Sequence, residues 1–120
     1  MAVVLIVEDE TFVRQNAEWI VEDMGHTSLA AGDLVGAMVH LSAEAAVDAL
    51  FVDMRLGEFA HGGYDVANQA IMLKPGLRVL YTSGTWLTTE MIARFVPGGR
   101  FLQKPYSPAE LGSSMEQLLA

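Results

Sequence analysis

The chain contains no cysteine. That excludes disulfides, thiolate metal sites and a cysteine nucleophile. Positive charge is also scarce: 7 Lys and Arg face 15 Asp and Glu, for a net charge of −8. An acidic surface repels phosphate backbones and anionic headgroups, which argues against nucleic acid or a membrane as a direct partner. No apolar stretch approaches the roughly 18–20 residues of a membrane span. The opening MAVVLIVEDE has no basic segment and reaches charge at Glu8, so it does not read as a secretory leader. A cytoplasmic location is the expectation. Repeats, low-complexity tracts and linker-like segments are likewise missing, so the 120 residues read as one domain, 1–120.

What is present is apolar. At 52% apolar and 18% charged, the composition suits a packed core and not a disordered chain. Four apolar runs each stop on a polar residue. Val3–Val7 meets Glu8-Asp9, Ala49–Val52 meets Asp53, Val79–Tyr81 meets Thr82-Ser83, and Phe101-Leu102 leads through Gln103 to Lys104-Pro105. Short β-branched runs that end abruptly in charge mark buried strands emerging at a sheet edge.

Helical patterns alternate with these strands. Thr11 is an N-cap candidate for a helix with Val13, Ala17, Ile20, Val21 and Met24 inward, ended by Gly25. Thr27–Ala30 is a weak strand, and Asp33 caps a helix carrying Leu34, Ala37, Met38 and Leu41 on one side. Gly62-Gly63 opens a third helix with Val66, Ala67, Ala70 and Ile71 inward, closed by Lys74-Pro75-Gly76. Leu77–Tyr81 is a strand. A short helix begins at Thr88 or Thr89 and runs to Phe95, before Pro97-Gly98-Gly99. Ser107-Pro108-Ala109-Glu110 is a capping box with proline at N1, ahead of a helix with Leu111, Met115, Leu118 and Leu119 inward. The sum is (βα)5, a doubly wound parallel α/β sheet.

In such a sheet ligands bind beyond the carboxyl ends of the strands. Glu8, Asp9 and Asp53 would gather there and repel one another unless a cation joins them. Oxygen donors without His or Cys suit Mg²⁺ or Mn²⁺. Lys104 brings a positive charge and Ser83 a hydroxyl, both suited to phosphoryl oxygens. A carboxylate can accept a phosphoryl group, and Asp53, between the acidic pair and the Ser83/Lys104 pair, is the natural acceptor.

These motifs resemble the response-regulator receiver domain of two-component signalling over essentially the whole chain. "VVLIVEDE" resembles the first strand and acidic pair, "ALFVDMRL" the phosphoacceptor strand, "VLYTSG" the switch-hydroxyl strand and "FLQKPY" the fifth-strand motif. The resemblance implies the flavodoxin-like strand order 2-1-3-4-5. It implies Mg²⁺ or Mn²⁺ held by Glu8, Asp9, Asp53 and the Arg55 backbone carbonyl, and no organic cofactor. Asp53 would be phosphorylated, Lys104 would bind the phosphoryl group, and Ser83 and Phe101 would form the switch. The Lys104-Pro105 bond would be cis. Implied partners are a histidine kinase or histidine phosphotransfer protein, and a downstream protein on the face formed by roughly Thr88–Phe95 and Phe101–Leu119. The implied state is a monomer or a weak phosphorylation-dependent dimer. A stand-alone regulator and a domain of a hybrid kinase or longer regulator both fit a chain that closes with its fifth helix.

Departures concentrate beside Asp53. The loop Arg55–Gly63 is longer than usual for such domains, with Gly57 where proline is common. Arg55 has Glu58 as a pairing candidate, and Arg55 and Thr85 resemble positions that tune phosphoryl lifetime. Phe101 replaces a commoner tyrosine. Three other functions compete. A flavodoxin-like cofactor binder would share the fold, but Glu8-Asp9-Glu10 after the first strand would repel a phosphate. A phosphorylation-independent pseudo-receiver scaffold would keep the fold without turnover. An aspartyl-phosphate hydrolase would want a second aspartate where Arg55 stands. His26 and His40 read as surface or helix-end residues and His61 as a loop tip. The seven methionines read mostly as core filling.

Overall fold

The computed structural model describes residues 1–43, 46–59 and 61–120. Five strands, β1 (Val3–Val7), β2 (Thr27–Ala31), β3 (Ala49–Asp53), β4 (Arg78–Ser83) and β5 (Arg100–Gln103), alternate with five helices. These are α1 (Thr11–Asp23), α2 (Leu34–Ser42), α3 (Gly62–Leu73), α4 (Thr89–Arg94) and α5 (Pro108–Leu119). All strand pairs are parallel, in the order β2-β1-β3-β4-β5. The (βα)5 sheet and its 2-1-3-4-5 order are as the sequence implies.

Strand side chains alternate between two cores, as a period of two requires. Leu5, Val7, Leu50, Val52, Val79 and Tyr81 pack with Ala37 and Leu41 of α2 and Val66, Ala67 and Ala70 of α3. Val4, Ile6, Phe51, Leu80 and Leu102 pack with Ala17 and Val21 of α1 and Leu111, Met115 and Leu118 of α5. Each fully buried Val, Leu or Ile side chain among these stabilises the fold by about 1.5–3 kcal/mol. Every residue of β3 is buried, which makes it the rigid centre of the sheet.

Local signals decide most helix ends. Asp33 accepts from the Gly36 amide at 2.8 Å, Thr88 caps α4 from the Met91 amide, and both halves of the Ser107/Glu110 box form. Gly25, at φ +92, closes α1 in a Schellman pattern with His26 N–H bonded to the Val21 carbonyl. Thr11 is not the N-cap: it is the first helical residue, and Glu10 stands at the cap without a side-chain bond. Glu8 accepts from the Glu10 amide at 3.2 Å, and the Glu10 carbonyl accepts the first helical bond from the Arg14 amide at 2.9 Å, so the helix starts one residue earlier than capping by Thr11 requires.

Other expectations need correction. His61 is the residue preceding α3 and lies against Arg94 Nη1 at 3.1 Å, so it joins two elements and is no free loop tip. Arg55 forms no ion pair with Glu58 among the described residues. Met54 and Met115 are buried, but Met72 is 81% exposed and fills no core. Ala60 of the long loop lies outside the described residues. No helix among the described residues is long and apolar enough to cross a membrane.

Candidate functional site

Glu8, Asp9, Asp53, Ser83 and Lys104 all fall at the carboxyl ends of β1, β3, β4 and β5. Parallel pairing brings these ends to one rim. Ligand atoms of Glu8, Asp9 and Asp53 lie within 4.8 Å of one another. Glu8 and Asp53 are buried and Asp9 is exposed. The three offer hard oxygen donors with no nitrogen or sulfur among them, a set that fits Mg²⁺ or Mn²⁺.

Lys104 is the counter-charge. Its Nζ sits 2.5 Å from Glu8 Oε1 and 3.1 Å from Asp53 Oδ2. Burial pushes the Glu8 carboxyl up to about 7; the Lys104 hydrogen bond opposes that rise and the Asp53 charge adds to it. Burial also works against the Lys104 ammonium, yet its bond to Glu8 and the two carboxylate charges outweigh it and hold its pKa above the usual lysine value. The Lys104-Pro105 bond is cis.

Asp53 sits in a tight backbone setting. The Arg55 amide lies 3.4 Å from its Oδ1, a long contact, and the Gly63 amide donates to the Met54 carbonyl at 2.9 Å. A Cβ on Gly63 would stand 2.4 Å from the Asp53 carbonyl oxygen and 2.6 Å from Met54 Cα, so only glycine lets α3 start this close to β3.

Of the two hydroxyls ending β4, the fold distinguishes one. Thr82 Oγ1 is buried and donates to the Leu102 carbonyl at 2.7 Å, inside the sheet. Ser83 Oγ is left at the rim, accepting from the Thr85 amide at 3.0 Å. Phe101 packs beside Phe95, ring centroids 6.4 Å apart, and Phe95 in turn stacks on Tyr81 at 4.2 Å.

Sequence reasoning missed several contributors. Gln103 Nε2 donates to the Ser83, Gly84 and Lys104 carbonyls and staples the loop after β4 to the end of β5. Its signal was a polar residue interrupting the fifth run next to the lysine. Arg14 Nη1 donates to the Glu8 carbonyl at 2.8 Å, which steadies the turn into α1. Gly57 donates to Asp9 Oδ2 at 3.0 Å. No local pattern points to these last two pairings.

The family model for the response regulator receiver domain matches residues 4–116. A response regulator receiver protein from Sinorhizobium medicae WSM419 superposes with a TM-score of 0.86 at 27% identity, covering 98% of this chain and 94% of that one. NtrX from Brucella abortus, solved in complex with ATP, gives a TM-score of 0.87 at 25% identity, covering 98% of this chain and 27% of that one. A CheY-like receiver domain protein from Methanospirillum hungatei JF-1, at 20% identity and a TM-score of 0.85, shares the fold and covers 99% of this chain and 94% of that one. Among curated proteins, none matches the chain significantly in sequence.

Proposed function

The chain belongs to the response regulator receiver domain family, and from that membership we propose that residues 1–120 act as a receiver domain, a phosphorylation-dependent switch with Asp53 as the acceptor. Receiver domains are signalling switches and not enzymes in the ordinary sense. The observation that carries the proposal is the Lys104 ammonium shared between Glu8 and Asp53 at the rim where three carboxylates meet.

The donor is a phosphohistidine on a kinase or phosphotransfer protein. An Asp53 carboxylate oxygen attacks phosphorus, the P–N bond breaks, and the departing imidazole takes up a proton. Lys104 is already in contact with Asp53 Oδ2 and shifts toward the new phosphoryl oxygens. A divalent cation held by Asp9, Asp53, the Arg55 carbonyl and Glu8 would neutralise charge as the phosphoryl group transfers. Ser83 swings its hydroxyl to donate to a phosphoryl oxygen, giving up its contact with the Thr85 amide. That motion frees space on β4 for Phe101 to turn out of its place beside Phe95, repacking the face of α4, β5 and α5. Exposed Leu87 and Ile92 beside that face supply apolar surface for a downstream partner.

The test is incorporation from a small phosphodonor with Mg²⁺ or Mn²⁺ present. Wild-type protein should gain one phosphoryl group, and Asp53→Asn should gain none. Unchanged incorporation in Asp53→Asn would sink the assignment, and no incorporation in the wild type would favour a pseudo-receiver.

A further inference from the structure

The long loop after Asp53 carries a small hairpin of its own. Leu56 and Phe59 exchange backbone hydrogen bonds at 3.1 and 3.0 Å, so Gly57 and Glu58 form a two-residue connection. Gly57 has φ +59, and no residue other than glycine has positive φ among the described residues. Positive φ at only the first central residue is the type II′ pattern, in which glycine is the residue of choice. Leu56, 4% exposed, anchors the turn: a Cβ on Gly62 would lie 3.0 Å from Leu56 Cβ.

The turn aims one donor at the acidic rim. Gly57 N–H bonds Asp9 Oδ2 at 3.0 Å, joining residues 48 apart in sequence. Asp9 is the exposed member of the three carboxylates, and no other hydrogen bond holds its side chain among the described residues. Without Gly57 that carboxylate would rotate freely and lose entropy on meeting a cation. Proline at this position has no N–H to offer.

We infer that Gly57 is a positioning residue whose amide holds the Asp9 carboxylate toward Glu8 and Asp53 and so raises the affinity of this rim for a divalent cation. The inference rests on the proposed cation role of the three carboxylates. Hydrogen bonds to ligating carboxylates are typically worth about 10–100-fold in metal affinity. This bond is exposed, so the effect belongs near the lower end, about tenfold.

Calorimetric titration of the unphosphorylated protein with Mg²⁺ alone tests it. Replacing the Leu56–Gly57 amide by an ester removes the N–H and keeps a residue able to hold φ +59; this variant should bind about tenfold more weakly than wild type, whereas Glu58→Gln, which keeps the donor and removes the neighbouring charge, should stay within about twofold. A purely structural role for Gly57 would lower the thermal midpoint equally with and without Mg²⁺ and leave the affinity alone. If the wild type binds Mg²⁺ and the ester variant binds equally well, the positioning role is wrong while the cation site stands. If the wild type binds none, the cation site itself is wrong and this inference goes with it. Should the ester variant fail to fold, exchange of the Gly57 amide in the wild type decides the matter. Linkage requires Mg²⁺ to slow that exchange, and an unchanged rate overturns the inference.

Discussion

The Lys104 ammonium lies 2.5 Å from Glu8 Oε1, a contact made across 96 residues of chain. Strands β3 and β4 stand between the two parent strands, so the lysine stem reaches back over the rim. Glu8 is 4% exposed and has Asp53 as a neighbour, which leaves Lys104 as its compensating charge.

Lys104→Met keeps the aliphatic stem and removes that charge. The variant should lose about 1–3 kcal/mol in urea unfolding, the cost of a buried polar group losing its partner. The deficit should narrow in Mg²⁺, because a more negative rim binds the cation more tightly and binding to the native state adds stability. A double-mutant cycle with Glu8→Gln isolates the pair. Additive effects would mean that the contact contributes nothing.

All three tyrosines should resist ionisation. Burial raises the pKa of Tyr64 and Tyr81, and pushes Tyr106 up to about 12. Below the unfolded value of about 10 the phenols are neutral in both states, and the preference for the neutral form is fully present. As pH rises above that value, the unfolded chain gives up protons that the folded chain keeps, so stability falls. Ultraviolet titration at about pH 10 should show less phenolate in native protein than in urea, where ionisation is roughly half. Matching titrations in the two states would contradict the burial. Tyr81 has a further structural task, since its hydroxyl accepts the buried Val96 amide at 3.0 Å.

Gly63→Ala should be severely destabilising, by about 3 kcal/mol or more, because the new Cβ meets backbone that cannot yield. Gly76→Ala is the control, with nothing within 4 Å of the added Cβ and no positive φ. It should be neutral or stabilising by up to about 1 kcal/mol. Chemical denaturation compares the two. Equal tolerance would mean that the approach of α3 to β3 is looser than described.

Much of this molecule could be read without coordinates because its signals are local. Val3–Val7 and Ala49–Val52 are apolar on both faces because helices cover both, and their endings at Glu8 and Asp53 follow from the rim position. Ser107 and Glu110 cap each other across a single turn, so their roles needed no tertiary context. Thr11 misled because the Glu10 carbonyl already accepts the first helical bond from the Arg14 amide, which makes Thr11 the first helical residue.

Period and strand-end position are properties of short segments, so the order and type of the elements, and which polar residues reach the rim, follow from local sequence. What each rim residue touches follows only from the packed fold. It turned Thr82 to the Leu102 carbonyl and Ser83 to the rim, and it set Lys104 between Glu8 and Asp53. It placed Arg94 on His61 and bent the long loop so that Gly57 meets Asp9. Those pairings join residues brought together by parallel crossovers, and a backbone amide or a lysine tip carries no mark along the chain of the partner it will find.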